Sequence, residues 1–200
     1  MKITKIVPAV KTPGRYNIFV DEKYSFSLDE YQLVNTGLHS GIEIDEEKLA
    51  SLKNESDFGK EYIRAIDLIS HRLRSEKEIR DYAWRKRWPP ENTARVIQRL
   101  YDKGYLNDKV FAQTFVRART NAGRYSRRRI EQDLRKKGIN KDIINEVLGE
   151  DFSDQEALLK LIRKRARHYD DESKLKAYLM RAGFKYEDIN RALAEYKEKE

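Results

Sequence analysis

The sequence predicts a mainly α-helical protein in which three tandem three-helix repeats follow a small N-terminal β-sheet with short helices. Three observations predict this class. Residues 15–28 alternate apolar and polar side chains, the chain from about residue 58 follows a helical period, and three of its helical segments align without gaps. Because a repeat of about 45 residues is too small for independent stability, we expect neighbouring repeats to share contacts in an elongated, curved array.

The N-terminal part predicts three strands and two short helices. RYNIFVDEKYSFSL (residues 15–28) is rich in Tyr, Phe, Ile and Val around a polar centre at residues 21–23, which predicts a β-hairpin. ITKIV (3–7) adds a third strand before the Thr12-Pro13-Gly14 turn. DEYQLVNTG (29–37) and IDEEKLASLK (44–53) predict two short helices, the first ending near Gly37.

The repeats emerge when SEKEIRDYAWRKRWPPENTARVI (75–97), SRRRIEQDLRKKGINKDIINEVL (126–148) and DESKLKAYLMRAGFKYEDINRAL (171–193) are superimposed. Apolar residues then coincide at four positions: Ile79, Ile130 and Leu175; Ala83, Leu134 and Leu179; Trp88, Ile139 and Phe184; and Ile97, Leu148 and Leu193. Each block follows another segment with helical period. We therefore divide the chain into an N-terminal part (1–57) and three repeats (58–106, 107–151 and 152–200).

Residues typical of helix ends agree with this division. Ser75 with Glu78, and Ser153 with Glu156, predict capping boxes, and Pro90 fits the first turn of a helix.

The middle helices of the second and third repeats are expected to end at Gly138 and Gly183. The first repeat has Arg87 at the aligned position, so its turn is expected to close differently, through Pro89 and Pro90.

The stretch RLYDKGYLNDKVFAQTFVRAR (99–119) predicts a structural joint between the first and second repeats. Asn107 or Asp108 would cap the new helix. The expected core residues of this stretch are Leu100, Leu106, Phe111, Phe115 and Val116.

The formal net charge of +8 is concentrated in the middle of the chain. Residues 60–140 hold 22 Lys and Arg against 10 Asp and Glu, whereas residues 1–59 hold 7 against 10 and residues 141–200 hold 13 against 14. This concentration favours a polyanionic partner, either nucleic acid or an acidic protein groove. A solvated basic face is the alternative.

No residue pattern points to an enzyme. The three histidines are far apart, phosphate-loop, dinucleotide-binding and nucleophile-elbow motifs are absent, and there are no cysteines. Residues 170–172 are acidic, but just before a helix such residues are more typical of caps than of a divalent ion site. We therefore expect no cofactor and no metal. Without an apolar run long enough for a membrane span or signal peptide, we expect a cytoplasmic protein.

Arg127, Arg128 and Arg129 are candidate binding residues because they occupy the first turn of a helix capped by Ser126. Cations there oppose the helix dipole by about 0.3–1 kcal/mol each, and a phosphate or carboxylate at the exposed amides would reverse the sign. Arg124 just before this helix, and Lys136 and Lys137 at its end, complete the basic set.

WRKRW (84–88) combines two tryptophans with three cations, a composition that can stack on bases or dock on a protein groove. Trp88 aligns with Ile139 and Phe184 and is expected in the core. Trp84 aligns with Arg135 and Met180 and is the candidate surface residue, with Arg85, Lys86 and Arg87 as its basic rim.

LRSEKEIRDYAWRKRW, RLYDKGYLNDKVFAQTFVRAR and SRRRIEQDLRKKGI, in this order and spacing, resemble the RecX family of RecA regulators. The resemblance covers residues 58–196, and GYLND-x-x-FA (104–112) is its most specific element. It implies a monomeric, non-enzymatic modulator in the helical groove of a RecA filament on single-stranded DNA. Such a protein suppresses the ATPase, strand exchange and co-protease activities of RecA.

The DNA partner would be single-stranded, with double-stranded DNA as a further option, and bound without sequence preference. A second hypothesis stays open. Three-helix units with basic helices also occur as tandem helix-turn-helix modules that bind nucleic acid directly and regulate transcription.

Overall fold

The computed structural model describes residues 1–149 and 152–198. In this part of the chain, three strands precede ten α-helices, and a 3₁₀ turn (Ala166–His168) follows the eighth helix. The strands are β1 (Ile3–Pro8), β2 (Arg15–Val20) and β3 (Lys23–Asp29). The helices are α1 (Glu30–Thr36), α2 (Glu46–His71), α3 (Glu76–Arg85), α4 (Pro90–Asp102), α5 (Asp108–Ala122), α6 (Arg127–Lys136), α7 (Lys141–Leu148), α8 (Asp154–Arg165), α9 (Glu172–Arg181) and α10 (Tyr186–Glu198).

The chain forms two compact units. The first contains Met1–Arg72 and Tyr82–Tyr105, and the second contains Leu73–Asp81 and the residues from Leu106 onward. The boundary predicted between residues 151 and 152 adjoins residues 150 and 151, which lie outside the described residues, as do residues 199 and 200 of the predicted third repeat.

The sheet of the first unit is antiparallel in the order β1-β2-β3, which confirms the predicted hairpin and third strand. Asp21 and Glu22 both have a positive φ, as a tight hairpin turn of the type I′ class requires. The amide of Asp21 donates to the carbonyl of Lys2, and the Asp21 carboxylate accepts from the Lys2 amide. Lys2, just before β1, thus holds the turn in place.

Helix α1 begins and ends where the sequence predicts. The Asp29 side chain accepts from the amide of Gln32, the Gln32 side chain accepts from the Asp29 amide, and Gly37 ends the helix with a φ of 64°. These contacts complete a capping box and a left-handed C-terminal cap.

The prediction of a short helix at residues 44–53 is wrong, because this segment is the start of the 26-residue helix α2. The predicted boundary between residues 57 and 58 therefore lies inside a continuous helix. No proline interrupts α2, and Gly59 takes a helical conformation in it. A Cβ at Gly59 would lie 2.6 Å from the Gln32 side-chain oxygen. Gly59 thus lets α1 pack closely against α2.

Two arginines of α4 fasten it to the aromatic face of α2. The guanidinium group of Arg95 lies 4.0 Å from the ring centre of Phe58, and that of Arg99 lies 4.6 Å from the ring of Tyr62. Arg95 also pairs with Glu55 at 2.6 Å. Cation–π contacts of this kind contribute about 0.5–2 kcal/mol each, so these arginines support the fold of the first unit.

The four aligned sets of apolar residues are all buried, which confirms the repeat alignment. The helices follow one another as α2–α4, α5–α7 and α8–α10. In the second unit, the core of α5–α7 contains Phe111, Ile130 and Ile144. The core of α8–α10 is built in the same way around Leu158 and Leu175.

The stretch 99–119 has the structure predicted for a joint. Leu106 is 1% exposed, and the Asn107 side chain accepts from the amides of Lys109 and Val110 at the start of α5. Phe111 is buried, and Phe115 packs against the same core.

Replacing Leu106 by Ala is expected to lower the free energy of unfolding by about 2–5 kcal/mol, because a buried leucine leaves a cavity when it is truncated. Urea denaturation of Leu106→Ala beside the wild type measures this loss. An unchanged midpoint would contradict the burial of this side chain.

Glu61 of α2 is buried beside Asn92 of α4, and its Oε2 atom has no hydrogen-bond partner among the described residues. Burial raises the pKa of the Glu61 carboxyl above its ordinary value, which the neighbouring Asn92 amide only partly offsets. The folded protein therefore holds this proton more strongly than the unfolded chain. The contribution of this group to stability is present at low pH and is lost as pH rises through the folded-state pKa.

We expect Glu61→Gln to be more stable than the wild type at pH 7, because the amide is neutral and nearly isosteric. The gain should disappear at a pH where the wild-type carboxyl is protonated. Thermal melts of both proteins across this range test the sign. A variant that is less stable at neutral pH would show that the buried charge is favourable.

Candidate functional site

The second unit contains two joints built in the same way, each placing a carboxylate at the N-terminus of a middle helix. The Arg127 amide, at the start of α6, donates to Asp154 of α8 at 2.6 Å. The Glu76 amide, at the start of α3, donates to Asp108 of α5 at 2.8 Å. In each joint, the first residue of one repeat's first helix thus caps the middle helix of the preceding repeat.

Each joint also brings the start of one middle helix against the end of the next. Ser75 Oγ donates to the carbonyl of Lys137 at 2.8 Å, and the Ser126 amide donates to the carbonyl of Ala182 at 3.1 Å. A Cβ at Gly138 would lie 2.6 Å from Lys77 Cβ, and one at Gly183 would lie 2.5 Å from Ser126 Oγ. The backbones approach so closely that only glycine fits.

The prediction that the turn at Arg87 closes differently is wrong. Arg87 has a φ of 57°, and its amide donates to the carbonyl of Trp84 at 3.0 Å. Gly138 and Gly183 also have positive φ, and they make the equivalent bonds at 2.9 Å. A non-glycine residue in this region costs about 1–2 kcal/mol, so Arg87 is retained at a conformational cost.

The four residues of the predicted site at 84–87 lie together on the surface of the first unit, at the C-terminal turn of α3. Trp84 is 81% exposed, and Arg85, Lys86 and Arg87 are exposed beside it. The Lys86 ammonium lies 5.8 Å from the ring of Tyr82. Trp88 is buried as predicted. This group, which we call the basic turn, can offer an aromatic face and three cations to a partner.

The predicted arginines near α6 differ in their surroundings. Arg124 and Arg128 are exposed, whereas Arg127 is half-buried and its guanidinium group donates to the carbonyls of Leu148 and Gly149. Arg129 is half-buried, with its Nε atom 3.3 Å from Asp133. Arg127 is therefore a structural residue of the joint.

The anion expected from outside at the start of α6 is supplied by the protein itself. Asp154 accepts from the Arg127 amide, and Ser126 Oγ accepts from the Arg129 amide. Two of the amides that a phosphate would need are thus already bonded, one by a carboxylate of the next repeat and one by the serine that caps the helix.

The two predicted lysines at the end of α6 also separate. Lys136 is exposed, but the Lys137 ammonium pairs with Glu78 of α3 at 2.5 Å. Lys137 thus belongs to the joint between α3 and the second repeat. Only Lys136 of this pair is available on the surface.

A groove of about 710 Å³ in the second unit brings two predicted arginines together with three residues that the sequence pattern did not identify. It joins Arg128 and Arg129 of α6 to Arg181, Lys185 and Tyr186 at the turn between α9 and α10. The repeat alignment holds a signal for one of them, because Arg181 occupies the position of Arg85 and Lys136. No comparable signal marks Lys185 or Tyr186.

Within residues 1–149 and 152–198, no group of three or more His, Asp or Glu side chains is arranged to hold a metal ion. In the same residues, no helix is both long and apolar enough to cross a membrane.

Comparison with protein families assigns most of the chain. The model of the regulatory protein RecX N-terminal domain matches residues 1–45, and the models of the first, second and third RecX three-helix domains match residues 62–100, 107–148 and 153–193. The chain belongs to the RecX family. The family resemblance and the three-helix repeats predicted from the sequence are thereby confirmed.

Curated relatives agree with this assignment. The "Regulatory protein RecX" of Bacillus velezensis is 38% identical over 199 residues, which cover 96% of this chain and 76% of the relative. The protein of the same name from Listeria welshimeri is 38% identical over 158 residues, covering 79% of this chain and 58% of the relative. Both relatives are named as regulatory proteins and not as enzymes.

Solved structures of the RecX family share the fold. A crystal structure of regulatory protein RecX superimposes with a TM-score of 0.76 at 29% identity, covering 96% of this chain and 98% of the other. RecX from Lactobacillus salivarius gives a TM-score of 0.57 at 28% identity, covering 70% of this chain and 96% of the other.

Replacing Arg87 by Gly is expected to raise the free energy of unfolding by about 0.5–1 kcal/mol, since glycine has no Cβ penalty at positive φ but loses more entropy on folding. Chemical denaturation measures this change. A clear loss of stability would show that the Arg87 side chain supports the fold instead of serving the surface.

Proposed function

We propose that this chain binds the RecA filament on single-stranded DNA, in the helical groove of the filament. Bound there as a monomer, it inhibits the ATPase, strand-exchange and co-protease activities of RecA and so modulates DNA repair and recombination. The order of the four RecX domains along the chain carries this proposal, because inhibition of RecA is the role of the family.

The charge distribution supports a filament that encloses DNA as the target. The basic turn belongs to the segment that holds 22 Lys and Arg against 10 Asp and Glu. It presents Trp84, an exposed aromatic anchor of the kind that dominates binding energy at interfaces. We assign the basic turn, Arg124, Arg128 and Lys136 as contacts to RecA or DNA. Arg127 and Lys137 act indirectly, through the joints of the second unit that they hold, and Arg129 acts beside Arg128 on α6.

The helix-turn-helix alternative has one specific difficulty. In such modules the N-terminal residues of the recognition helix enter the major groove. The third helices of the three repeats carry carboxylates in that first turn: Glu91 in α4, Asp142 in α7, and Glu187 and Asp188 in α10. These carboxylates would meet the phosphate-lined groove with like charge, so sequence readout by these helices is disfavoured.

The test is ATP hydrolysis by the cognate RecA on single-stranded DNA during titration with this protein. We expect hydrolysis to fall at substoichiometric ratios, because one modulator in the filament groove acts on several RecA protomers. Excess free DNA added afterwards should not restore it. Inhibition only at concentrations that saturate DNA would favour the direct nucleic-acid binder.

Trp84→Ala should weaken inhibition about tenfold or more, the loss of roughly 1.4 kcal/mol typical of an aromatic anchor. The matched control is Val34→Ala, which truncates another exposed apolar residue of the first unit, 73% exposed on α1. Equal inhibition by both variants would remove the basic turn from the interface.

A further inference from the structure

The groove in the second unit has a concentration of charge that the fold leaves unbalanced. Four cations line it: Arg128, Arg129, Arg181 and Lys185. Arg129 has a carboxylate neighbour in Asp133. Among the described residues, no carboxylate lies within 4.0 Å of the charged groups of Arg128, Arg181 or Lys185. Three unpaired cations around one concavity repel each other until an anion enters.

The joint between α3 and the second repeat serves as an internal comparison, because it has the same amide-to-carboxylate contact but its charges are largely paired. At the positions of Arg128, Arg129 and Gln132 it carries Lys77, Glu78 and Asp81. Lys77 pairs with Asp81 at 2.7 Å, and Glu78 pairs with Lys137 at 2.5 Å.

At the positions of Arg129 and Lys185 that joint carries Glu78 and Asn140, so cations at these two positions are not needed to form a joint. Glu78 and Asp81 of the first joint, between α3 and the second repeat, correspond to Arg129 and Gln132 in the second joint. Lys137, which pairs with Glu78, corresponds to Ala182. The first joint also carries an exposed cation, Lys136, at the position of Arg181, so the exchange raises the positive charge of the surface and does not create it. A surface with this excess charge attracts a polyanion.

Two apolar groups border the cations. Tyr186, the first residue of α10, is 54% exposed, and Met180 near the end of α9 is 51% exposed. The carboxylates of Glu187 and Asp188, which follow Tyr186, do not line the groove. The Lys176 ammonium lies 5.9 Å from the centre of the Tyr186 ring. An exposed aromatic ring among cations is the arrangement with which proteins hold single strands, since the ring stacks on a base while the cations follow the phosphates.

We propose that this groove binds the phosphodiester backbone of single-stranded nucleic acid, with Arg128, Arg181 and Lys185 on phosphates and a base stacked on Tyr186. A duplex is the poorer ligand, because its bases are stacked on each other and cannot reach the ring. The inference rests on the proposed function, since it assigns the surface that meets the single strand of the filament.

The experiment measures binding of fluorescein-labelled oligodeoxythymidine to the full-length protein by fluorescence anisotropy over a salt series, without RecA. Arg181→Gln with Lys185→Gln should weaken binding at least tenfold. The slope of log K against log salt should become shallower by about 1.4, because each lost phosphate contact on a single strand removes about 0.7. Tyr186→Ala should weaken binding about tenfold to a hundredfold with little change in slope.

Matched variants separate the groove from general charge and from misfolding. Tyr186→Phe keeps the ring and should bind as the wild type does. Arg163→Gln with Lys164→Gln removes two exposed cations of α8 that do not line the groove, and should weaken binding much less. Circular dichroism melts confirm that each variant folds.

The inference is overturned if the Arg181 and Lys185 double variant keeps the affinity and salt slope of the wild type. It is also overturned if Tyr186→Ala binds normally, or if duplex DNA binds the groove as tightly as the single strand. A double variant that binds oligodeoxythymidine normally but no longer inhibits RecA assigns the groove to an acidic protein surface instead.

The proposed function fails separately. One outcome is that the wild-type protein binds the single strand through the groove and yet leaves ATP hydrolysis by RecA unchanged. This result would contradict the proposed inhibition of RecA and support the proposed nucleic-acid site in the groove. Groove variants that bind DNA with normal affinity and still inhibit RecA would contradict the proposed role of the groove and leave the proposed function intact.

Discussion

A carboxylate at the N-terminus of the neighbouring repeat's middle helix is the interaction on which the second unit depends. Asp108 reaches the amide of Glu76, and Asp154 reaches the amide of Arg127. Each bond satisfies an amide that has no partner within its own helix and places a negative charge at the positive end of the helix dipole. Because repeats this small bury little apolar surface alone, such contacts between repeats decide whether the array forms.

Burial in the joint removes part of the hydration of the Asp108 carboxylate. Burial raises the pKa of Asp108 above its ordinary value, and the hydrogen bond from the Glu76 amide opposes that shift. The Asp108 carboxylate is therefore less hydrated in the joint, and its hydrogen bond to the Glu76 amide fixes its position. The close approach at Gly138 and Gly183 follows from the same geometry.

The repetition of the joint also bears on where the proposed binding surfaces lie. In the second and third repeats, the preceding repeat covers the turn after the middle helix, and glycine occupies it. Arg87 has the same backbone conformation without that close contact, and the surface there is exposed and basic. At the second joint the amide-to-carboxylate contact is kept, while the two ion pairs of the first are replaced by Arg128, Arg129, Gln132 and Ala182. We therefore propose that partner-binding residues lie at exposed positions of these turns.

The sequence predicted what depends on local pattern. Period and alignment identified the buried sets that include Ile79, Ile130 and Leu175, because residues at fixed helical spacing share a face whatever the neighbouring helix is. The caps at Asn107 and Ser126 followed from residue type alone.

The sequence could not predict contacts between helices distant along the chain. Arg127 and Lys137 looked like free cations, because their partners at Gly149, Leu148 and Glu78 are set by packing between helices. Helix α2 was predicted as two separate segments, because its continuity through residue 58 and its packing against Gln32 at Gly59 are not visible in the local pattern. The groove could not be predicted, because it forms only where the third repeat packs against α6.

The most direct test of the joint compares Gly138→Ala with Gly104→Ala. Both glycines follow a helix, their φ angles are 78° and 71°, and each donates to a carbonyl at 2.9 Å. They share the backbone strain of about 1–2 kcal/mol that alanine meets there. An added Cβ at Gly138 would lie 2.6 Å from Lys77 Cβ, whereas at Gly104 nothing lies within 4 Å.

The free energy of unfolding from urea denaturation should therefore fall by at least about 1 kcal/mol more for Gly138→Ala than for Gly104→Ala, the typical cost of overpacking. Equal losses for the two variants would contradict the close joint between repeats.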